Sequence, residues 1–284
     1  MSGLTELLDV LRLEPAGDGR FRAQNFGAAP GGVVFGGQLL AQTIVAAAAV
    51  DPAKEVKSVH TVFARGGSLD AALDIDVDVM HTGRAFGSVT VTVGQGDRLC
   101  SRSLVLLSAA EPDLIRHAAP MPPVGPPEDA TPSAHGAGFW EIRTVGGVDI
   151  SDPDAVGPAE LYVWSRFPGA PSDPATGRAL LAYASDGFLI GTAMRPHPGV
   201  GQALAHRSIS TSVITHTLEF HEPFDAGQWL LLAQESPYAG RGRSFGRATV
   251  FTSDDRLVAS FVQDNMIRDF PAGTAPRPGE ASKH

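Results

Sequence analysis

An internal repeat is the feature that most restricts how this chain of 284 residues can fold. The stretch GRAFGSVTV at Gly83–Val91 matches GRSFGRATV at Gly242–Val250 with a constant offset of 159 residues. Shorter matches are DRL at Asp97–Leu99 and Asp255–Leu257, His60-Thr61-Val62 and His216-Thr217-Leu218, and LLAQ at Leu39–Gln42 and LLAY at Leu180–Tyr183. Such self-similarity predicts one supersecondary unit built twice.

Each repeat combines one apolar helix with about four strands. The nearly all-apolar stretch Gly37–Val50 predicts the first helix, and RALLAYASDGFLIGTAM at Arg178–Met194 predicts the second. Strict alternation predicts a strand at Leu73–Met80, and the turn GQGD joins Ser88–Val93 to Leu99–Leu107 as a hairpin. A sheet curled around a central helix buries both elements, and two such units can share one sheet. The predicted fold is therefore α+β, a double hot-dog.

The chain divides at a proline-rich segment. We predict an N-terminal hot-dog over 1–110, a linker over 111–138, a C-terminal hot-dog over 139–270 and a disordered tail over 271–284. In the second half the predicted strands are Trp140–Arg143, Leu161–Phe167, Ser210–Phe220, Trp229–Gln234, Phe245–Thr252 and Leu257–Gln263. Leucines at helical spacing predict a short first helix ending before Pro15.

Composition excludes several classes of function. The net charge of −9 offers no basic excess for nucleic acid or for an anionic membrane. The longest apolar run is too short to span a bilayer, and the first residues lack the features of a signal peptide. A single cysteine, Cys100, cannot form an internal disulfide. We therefore expect a cytoplasmic protein.

The second predicted helix carries one acid, Asp186, near its middle. In a hydrophobic surround the charged form of a carboxylate is costly, so this residue is either a hydrogen-bonded structural group or a base that activates water. Alignment of LLAQ with LLAY places Val45 at the corresponding position of the first half. The scaffold itself does not require an acid there, and we expect one active site per chain.

Glycines mark the start of the first helix. In Val34-Phe35-Gly36-Gly37-Gln38 they permit close approach of a ligand to the backbone, where a helix N-terminus favours negative charge. A tight turn into the helix explains Gly36 and Gly37 equally well.

Three other catalytic patterns are rejected. Gly242–Gly246 fits G-x-S-x-G, but an alternating strand follows it and the repeat has Ala85 in place of the serine. The nine histidines show no metal-ligand spacing, and His60 and His216 are interpreted as core or sheet-edge residues. A hot-dog hydratase pairs its Asp with a His five residues later, where this chain has Gly191. The repeated Arg84 and Arg243 favour a structural role.

The chain resembles the type II acyl-CoA thioesterases, the TesB-like double hot-dog enzymes. The matching stretches run from Leu7 to Arg268 and are LLDVLRLEPAGDGRFRAQN, VFGGQLLAQ, YASDGFL, HTLEFHEPF and LVASFVQDNMIR. The resemblance implies hydrolysis of a fatty acyl-CoA by a positioned water, without cofactor or metal, in a homodimer or higher homo-oligomer. It places the acid at Asp186, the family's glutamine at Gln263, and acyl-CoA contact at Gly36, Gly37 and Gln38.

The family's strand hydroxyl is missing from its expected place. Counting from Gln263 and from His216 puts it at Val213. Residues two apart on a strand face the same way, so we expect Thr215 to supply the hydroxyl from a displaced position. Alternatively, Thr215 is an ordinary strand residue, and the chain is a catalytically weak or inactive acyl-CoA- or lipid-binding double hot-dog protein.

Overall fold

The computed structural model describes residues 3–27, 32–136 and 138–270. Its helices are α1 (Gly3–Val10), α2 (Gly36–Ala48), α3 (Pro174–Ser185) and α4 (Leu189–Met194). The predicted disordered tail over 271–284 lies outside the described residues. Within them, none of the helices combines the length and hydropathy needed to cross a bilayer.

Thirteen strands of the described chain form one antiparallel sheet. They are β1 (Glu14–Gly17), β2 (Arg20–Ala23), β3 (Glu55–Phe63), β4 (Leu73–Thr82), β5 (Phe86–Gln95), β6 (Arg98–Ser108), β7 (Thr131–Pro132), β8 (Glu141–Thr144), β9 (Glu160–Arg166), β10 (Ile209–Phe220), β11 (Leu230–Gly240), β12 (Arg243–Thr252) and β13 (Leu257–Asp269). The strands predicted from alternation in both halves are confirmed. The patterns in the sequence do not predict β1, β2, β3 or β7 individually.

The order of the strands reflects the repeat. From the centre of the sheet the first half runs β3-β6-β5-β4-β2-β1, and the second half runs β10-β13-β12-β11-β9-β8-β7. The two halves meet where β3 pairs with β10, with Thr61 opposite His216. The matched sequence stretches therefore occupy corresponding strands, β5 and β12, on either side of this junction.

The two long helices lie on the inner face of the sheet and contact each other. Leu40, Ile44, Leu180 and other side chains of α2 and α3 are fully buried, which explains the apolar character of both segments. A Cβ at Gly37 would collide with the carbonyl oxygen of Tyr183. The C-terminal end of α3 is thus held close against the N-terminal end of α2.

The predicted continuous helix Arg178–Met194 is wrong at its centre. The first segment ends at Ser185, Asp186 caps its C-terminus with φ −83° and ψ −4°, and Phe188 is non-helical before α4 begins. Ser-Asp-Gly is a run of weak helix formers, and this accounts for the break. As a result Asp186 lies at a helix end, from which its carboxylate can reach the neighbouring helix.

The expectation that Thr215 faces the same side as Val213 is also wrong. On β10 the register shifts between these residues: Val213 lies opposite Asn265, and Thr215 lies opposite Asp264. One extra residue, Ile214, is accommodated as a bulge, which reverses the alternation of the strand. Thr215 also pairs with the exposed Val62, so its side chain lies on the outer face.

The proline-rich segment crosses the outer face of the second half. Its carbonyl oxygens accept hydrogen bonds from that half: Gly125 from the Trp164 indole at 3.2 Å and Pro127 from Arg143 at 2.9 Å. Between residues 111 and 136 the regular structure is one 3₁₀ turn, Pro127–Asp129, and the short β7. This segment is distant from the inner face, where the candidate site lies.

Candidate functional site

Asp186 connects the second half of the chain to the first. Its side chain is only 5% exposed. The carboxylate accepts a hydrogen bond from the backbone N–H of Gly37 in the first turn of α2. Oδ2 approaches Gly36 so closely that a Cβ at that position would lie 2.6 Å away. Gly36 therefore lets the carboxylate reach the positive end of α2, and Gly37 lets the end of α3 approach that helix.

Burial is the main influence on the pKa of the Asp186 carboxyl. Loss of water raises the pKa of Asp186 above its ordinary value, because the ionised form has the most hydration to lose. The neighbouring His216 side chain and the Gly37 N–H act in the opposite direction without cancelling the effect of burial. A carboxyl with a raised pKa is a stronger base than an exposed aspartate, and such groups are typical of active sites.

Gln263 lies beside the acid, as the resemblance implied. The residue is fully buried on β13, and its Nε2 faces three acceptors: His216 Nδ1 at 2.8 Å, the Ser185 carbonyl oxygen at 3.2 Å and Asp186 Oδ1 at 3.4 Å. Three surrounding acceptors fix the orientation of the amide. Its Oε1 is buried and has no partner among the described residues. An acceptor is therefore available next to the carboxylate.

His216 belongs to this site, a role that the sequence did not reveal. It is fully buried, as expected for a core residue, but its Nδ1 lies 3.8 Å from Asp186 Oδ1. Because the amide nitrogen of Gln263 can only donate, Nδ1 accepts, and the ring proton on Nε2 faces Ser185 Oγ at 3.1 Å. Ser185 Oγ in turn donates to the carbonyl oxygen of Ala182 at 2.9 Å.

The repeat obscured the importance of this histidine. Its counterpart His60 is exposed on the outer face, where Nδ1 lies 2.7 Å from Thr217 Oγ1. Equivalence between the two histidines favoured a structural interpretation of both. The feature that identifies His216 is its register directly opposite Gln263, which pairs two strands that are far apart in the sequence.

Two of the predicted site residues are placed differently. Thr215 lies on the outer face, away from the buried side chains of His216 and Gln263, so it does not replace the hydroxyl missing at Val213. Gln38 is buried, and its amide bonds the Phe26 N–H at 2.8 Å, Asn25 Oδ1 at 3.1 Å and neighbouring acceptors. Its side chain therefore anchors the preceding loop.

The G-x-S-x-G match and Cys100 both lie on strands of the sheet. Ser244 of the G-x-S-x-G match lies within β12, where its hydroxyl accepts from Asn265 at 3.4 Å, and no strand-to-helix elbow follows. Cys100 is buried, which raises the pKa of its thiol. Among the described residues no group of three or more His, Cys, Asp or Glu side chains is arranged to hold a metal ion.

The site is thus a buried carboxyl beside a helix N-terminus, with an amide and an imidazole around it, on the inner face of the sheet. Two family models match the chain. Residues 27–108 match the model described as acyl-CoA thioesterase N-terminal domain, and residues 116–267 match the acyl-CoA thioesterase C-terminal domain. The chain belongs to the acyl-CoA thioesterase family.

Individual relatives agree with this assignment. The chain is 31% identical over 289 aligned residues to acyl-CoA thioesterase 2 of Haemophilus influenzae, covering 93% of this chain and 98% of the relative. A tesB protein structure from Mycobacterium avium subspecies paratuberculosis superposes with a TM-score of 0.80 at 27% identity, covering 94% and 99% of the two chains. A hot-dog protein from Alicyclobacillus acidocaldarius, at 20% identity and a TM-score of 0.74, covers 93% and 98% and shares the fold.

Proposed function

We propose that this protein hydrolyses fatty acyl-CoA thioesters to the free acid and CoA, with Asp186 as the base that activates water. The observation that carries the proposal is the buried carboxylate of raised pKa, hydrogen-bonded to the N-terminus of α2 and flanked by Gln263. A thioester carbonyl is electrophilic enough for attack by water if the water is oriented and partly deprotonated.

Water and Asp186 together account for every bond and proton that changes in this hydrolysis. Water forms a C–O bond to the carbonyl carbon while its proton passes to Asp186. The C–S bond then breaks, its electron pair goes to sulfur, and the proton held by Asp186 neutralises the thiolate of CoA. Negative charge that develops on the carbonyl oxygen is stabilised at the start of α2, where Gly36 permits close approach to the backbone.

Gln263 and His216 have distinct tasks in this proposal. Gln263 presents its unpartnered Oε1 to the attacking water, while its Nε2 remains bonded to the Asp186 carboxylate. His216 is a positioning residue, because its Nδ1 holds the Gln263 amide at 2.8 Å. Substrate contact is assigned to the backbone of Gly36 and Gly37.

The organisation of the chain is part of the proposal. Corresponding strand orders on the two sides of the β3–β10 pairing support a double hot-dog with units at 1–110 and 139–270, joined by the linker over 111–138. Val45 occupies the repeat position of Asp186, which supports one active site per chain. Assembly as a homodimer or higher homo-oligomer stays a prediction.

Val213 favours a competing function, binding of acyl-CoA without hydrolysis, since the position has no hydroxyl. The two functions are separated by measuring thiol release from acyl-CoA of increasing chain length. Wild-type protein should release CoA, and Asp186→Asn should lower kcat roughly 10²- to 10⁴-fold with the fold preserved. Tight binding with no hydrolysis of any acyl-CoA would establish the binding protein instead, and unchanged turnover in Asp186→Asn would show that another group is the base.

A further inference from the structure

The inner face of the sheet offers a polar group at the place where the family's hydroxyl is missing. Val213 lies directly opposite Asn265 in the β10–β13 ladder. Side chains directly opposite each other on antiparallel strands share a face, with Cβ atoms about 4.5–5.5 Å apart. The amide of Asn265 therefore lies next to the position that a hydroxyl at 213 would occupy.

Asn265 also lies on the same face as Gln263. Along β13 the burial alternates: Phe261, Gln263 and Asn265 are buried, and Val262 and Asp264 between them are partly exposed. Pairing with β12 continues without a register shift from Gln263 opposite Gly246 to Asn265 opposite Ser244. Asn265 is thus the next inner-face neighbour of the glutamine that contacts Asp186.

The hydrogen bonding of Asn265 is incomplete. The side chain is fully buried, its Nδ2 donates to Ser244 Oγ over a long 3.4 Å, and its Oδ1 has no partner among the described residues. A buried amide with unmet hydrogen bonds destabilises the folded state, and an apolar side chain of similar shape would avoid this cost. Gln263 Oε1, two residues away on the same face, is unpartnered in the same way.

We propose that Asn265 holds the attacking water together with Asp186 and Gln263, and so performs the task of the hydroxyl missing at Val213. This inference rests on the proposed function. Asp186 takes one hydrogen of the water as the base, and the second hydrogen is shared between Asn265 Oδ1 and Gln263 Oε1 in a three-centre hydrogen bond. Two amide oxygens and one carboxylate then fix the orientation of the nucleophile, and Ser244 orients the amide of Asn265.

The central test uses Asn265→Leu, which removes the amide and keeps similar bulk. The variant should lower kcat for acyl-CoA hydrolysis roughly 10- to 100-fold, because the water loses one of three orienting contacts. KM should stay within about twofold, since the amide does not bind the substrate in the ground state. Asn265→Ala provides a smaller variant in case leucine overfills the site, and thermal unfolding of each variant confirms the folded state.

A rescue experiment distinguishes a role of Asn265 in orienting water from a role in packing. Adding Val213→Thr to Asn265→Leu restores a hydroxyl on the same face and should recover about tenfold in kcat or more. Thr215→Val is the matched control on the outer face of the same strand and should keep wild-type kcat.

The possible outcomes separate this inference from the proposed function. Wild-type kcat in both Asn265 variants, with Asp186→Asn inactive, would overturn the role of Asn265 and leave the thioesterase intact. Loss of activity in Asn265→Leu without recovery by Val213→Thr would also overturn it, since the residue would then act through packing. If wild-type protein hydrolyses no acyl-CoA, the proposed function and this inference both fail.

Discussion

A Cβ placed on Gly36 would lie 2.6 Å from Oδ2 of Asp186. The glycine opens the helix of the first half, and the acid caps the helix of the second half. Because the carboxylate completes its hydrogen bonding on the Gly37 N–H, the site is assembled from both repeats. The second half of the chain therefore contributes the carboxylate, and the first half contributes the helix N-terminus that holds it.

The rate of hydrolysis should depend on the ionisation of Asp186. Only the carboxylate form can accept a proton, so kcat/KM should fall with decreasing pH. Since burial raises the pKa of Asp186, this fall should begin at a higher pH than for an exposed aspartate. The titratable group that faces Asp186 from β10 is His216, and this contact acts against the effect of burial. A pH–rate profile of wild-type protein tests the expectation, and an acid limb at the ordinary pKa of aspartate would contradict it.

The stability of the protein should change with pH in a defined direction. A raised pKa means that the folded state binds the Asp186 proton more tightly than the unfolded state. The stabilisation is fully present below the unfolded pKa and is lost as the pH rises through the folded pKa. Asp186→Asn removes this loss, so its free energy of unfolding relative to wild type should increase across that interval.

Urea unfolding at a series of pH values measures this difference. Because other groups titrate in both proteins, only the difference between wild type and Asp186→Asn reports on the carboxyl. A difference that stays constant with pH would show that Asp186 has the same pKa in the folded and unfolded states.

His216 should affect catalysis through Gln263. His216→Leu removes the acceptor that lies 2.8 Å from Gln263 Nε2, and we expect kcat to fall roughly 10- to 100-fold with KM little changed. His216→Asn offers an acceptor near the position of Nδ1 and should recover much of this loss. Steady-state kinetics of the two variants decide the matter. Equal damage from both substitutions would indicate that the ring itself, through its packing on Phe261, is what the site requires.

Much of the fold follows from patterns that are local or repeated. The match between Gly83–Val91 and Gly242–Val250 predicts corresponding strands, and the structure places these stretches at β5 and β12. Alternation predicts the buried face of β4, where Ile75 and Val77 are buried and the intervening aspartates are exposed. Such a pattern can be recognised in the sequence because side chains along a strand alternate between the two faces of the sheet with a period of two residues.

The site is less predictable, because it depends on single-residue departures from those patterns. Asp186 stands out as an acid in an apolar segment, but the helix break that redirects it lies within a run that is otherwise helical in character. The bulge at Ile214 places Val213 and Thr215 on opposite faces of the strand, and no glycine or proline beside it indicates the bulge in the sequence. The pairing of His216 with Gln263 depends on the register of two strands that are far apart in the sequence, and patterns along the chain do not give this register.

Gly36→Ala tests whether catalysis requires the close approach of the Asp186 carboxylate to the start of α2. The added methyl would meet Oδ2 of Asp186 at 2.6 Å and Phe63 at 3.5 Å, so the carboxylate must move away from α2. Because a displaced base aligns poorly with the water, we expect kcat to fall roughly 10- to 100-fold. Steady-state hydrolysis of acyl-CoA measures the effect.

Gly177→Ala on α3 is the matched control. Its new Cβ would contact Phe224 at an ordinary 4.0 Å, and the helix should gain about 0.5–1 kcal/mol from the replacement of glycine. This variant should therefore keep wild-type kcat and melt at a slightly higher temperature. If Gly36→Ala retains full activity, the contact between α2 and Asp186 does not position the base, and the N-terminus of α2 would then serve the protein only through packing against α3.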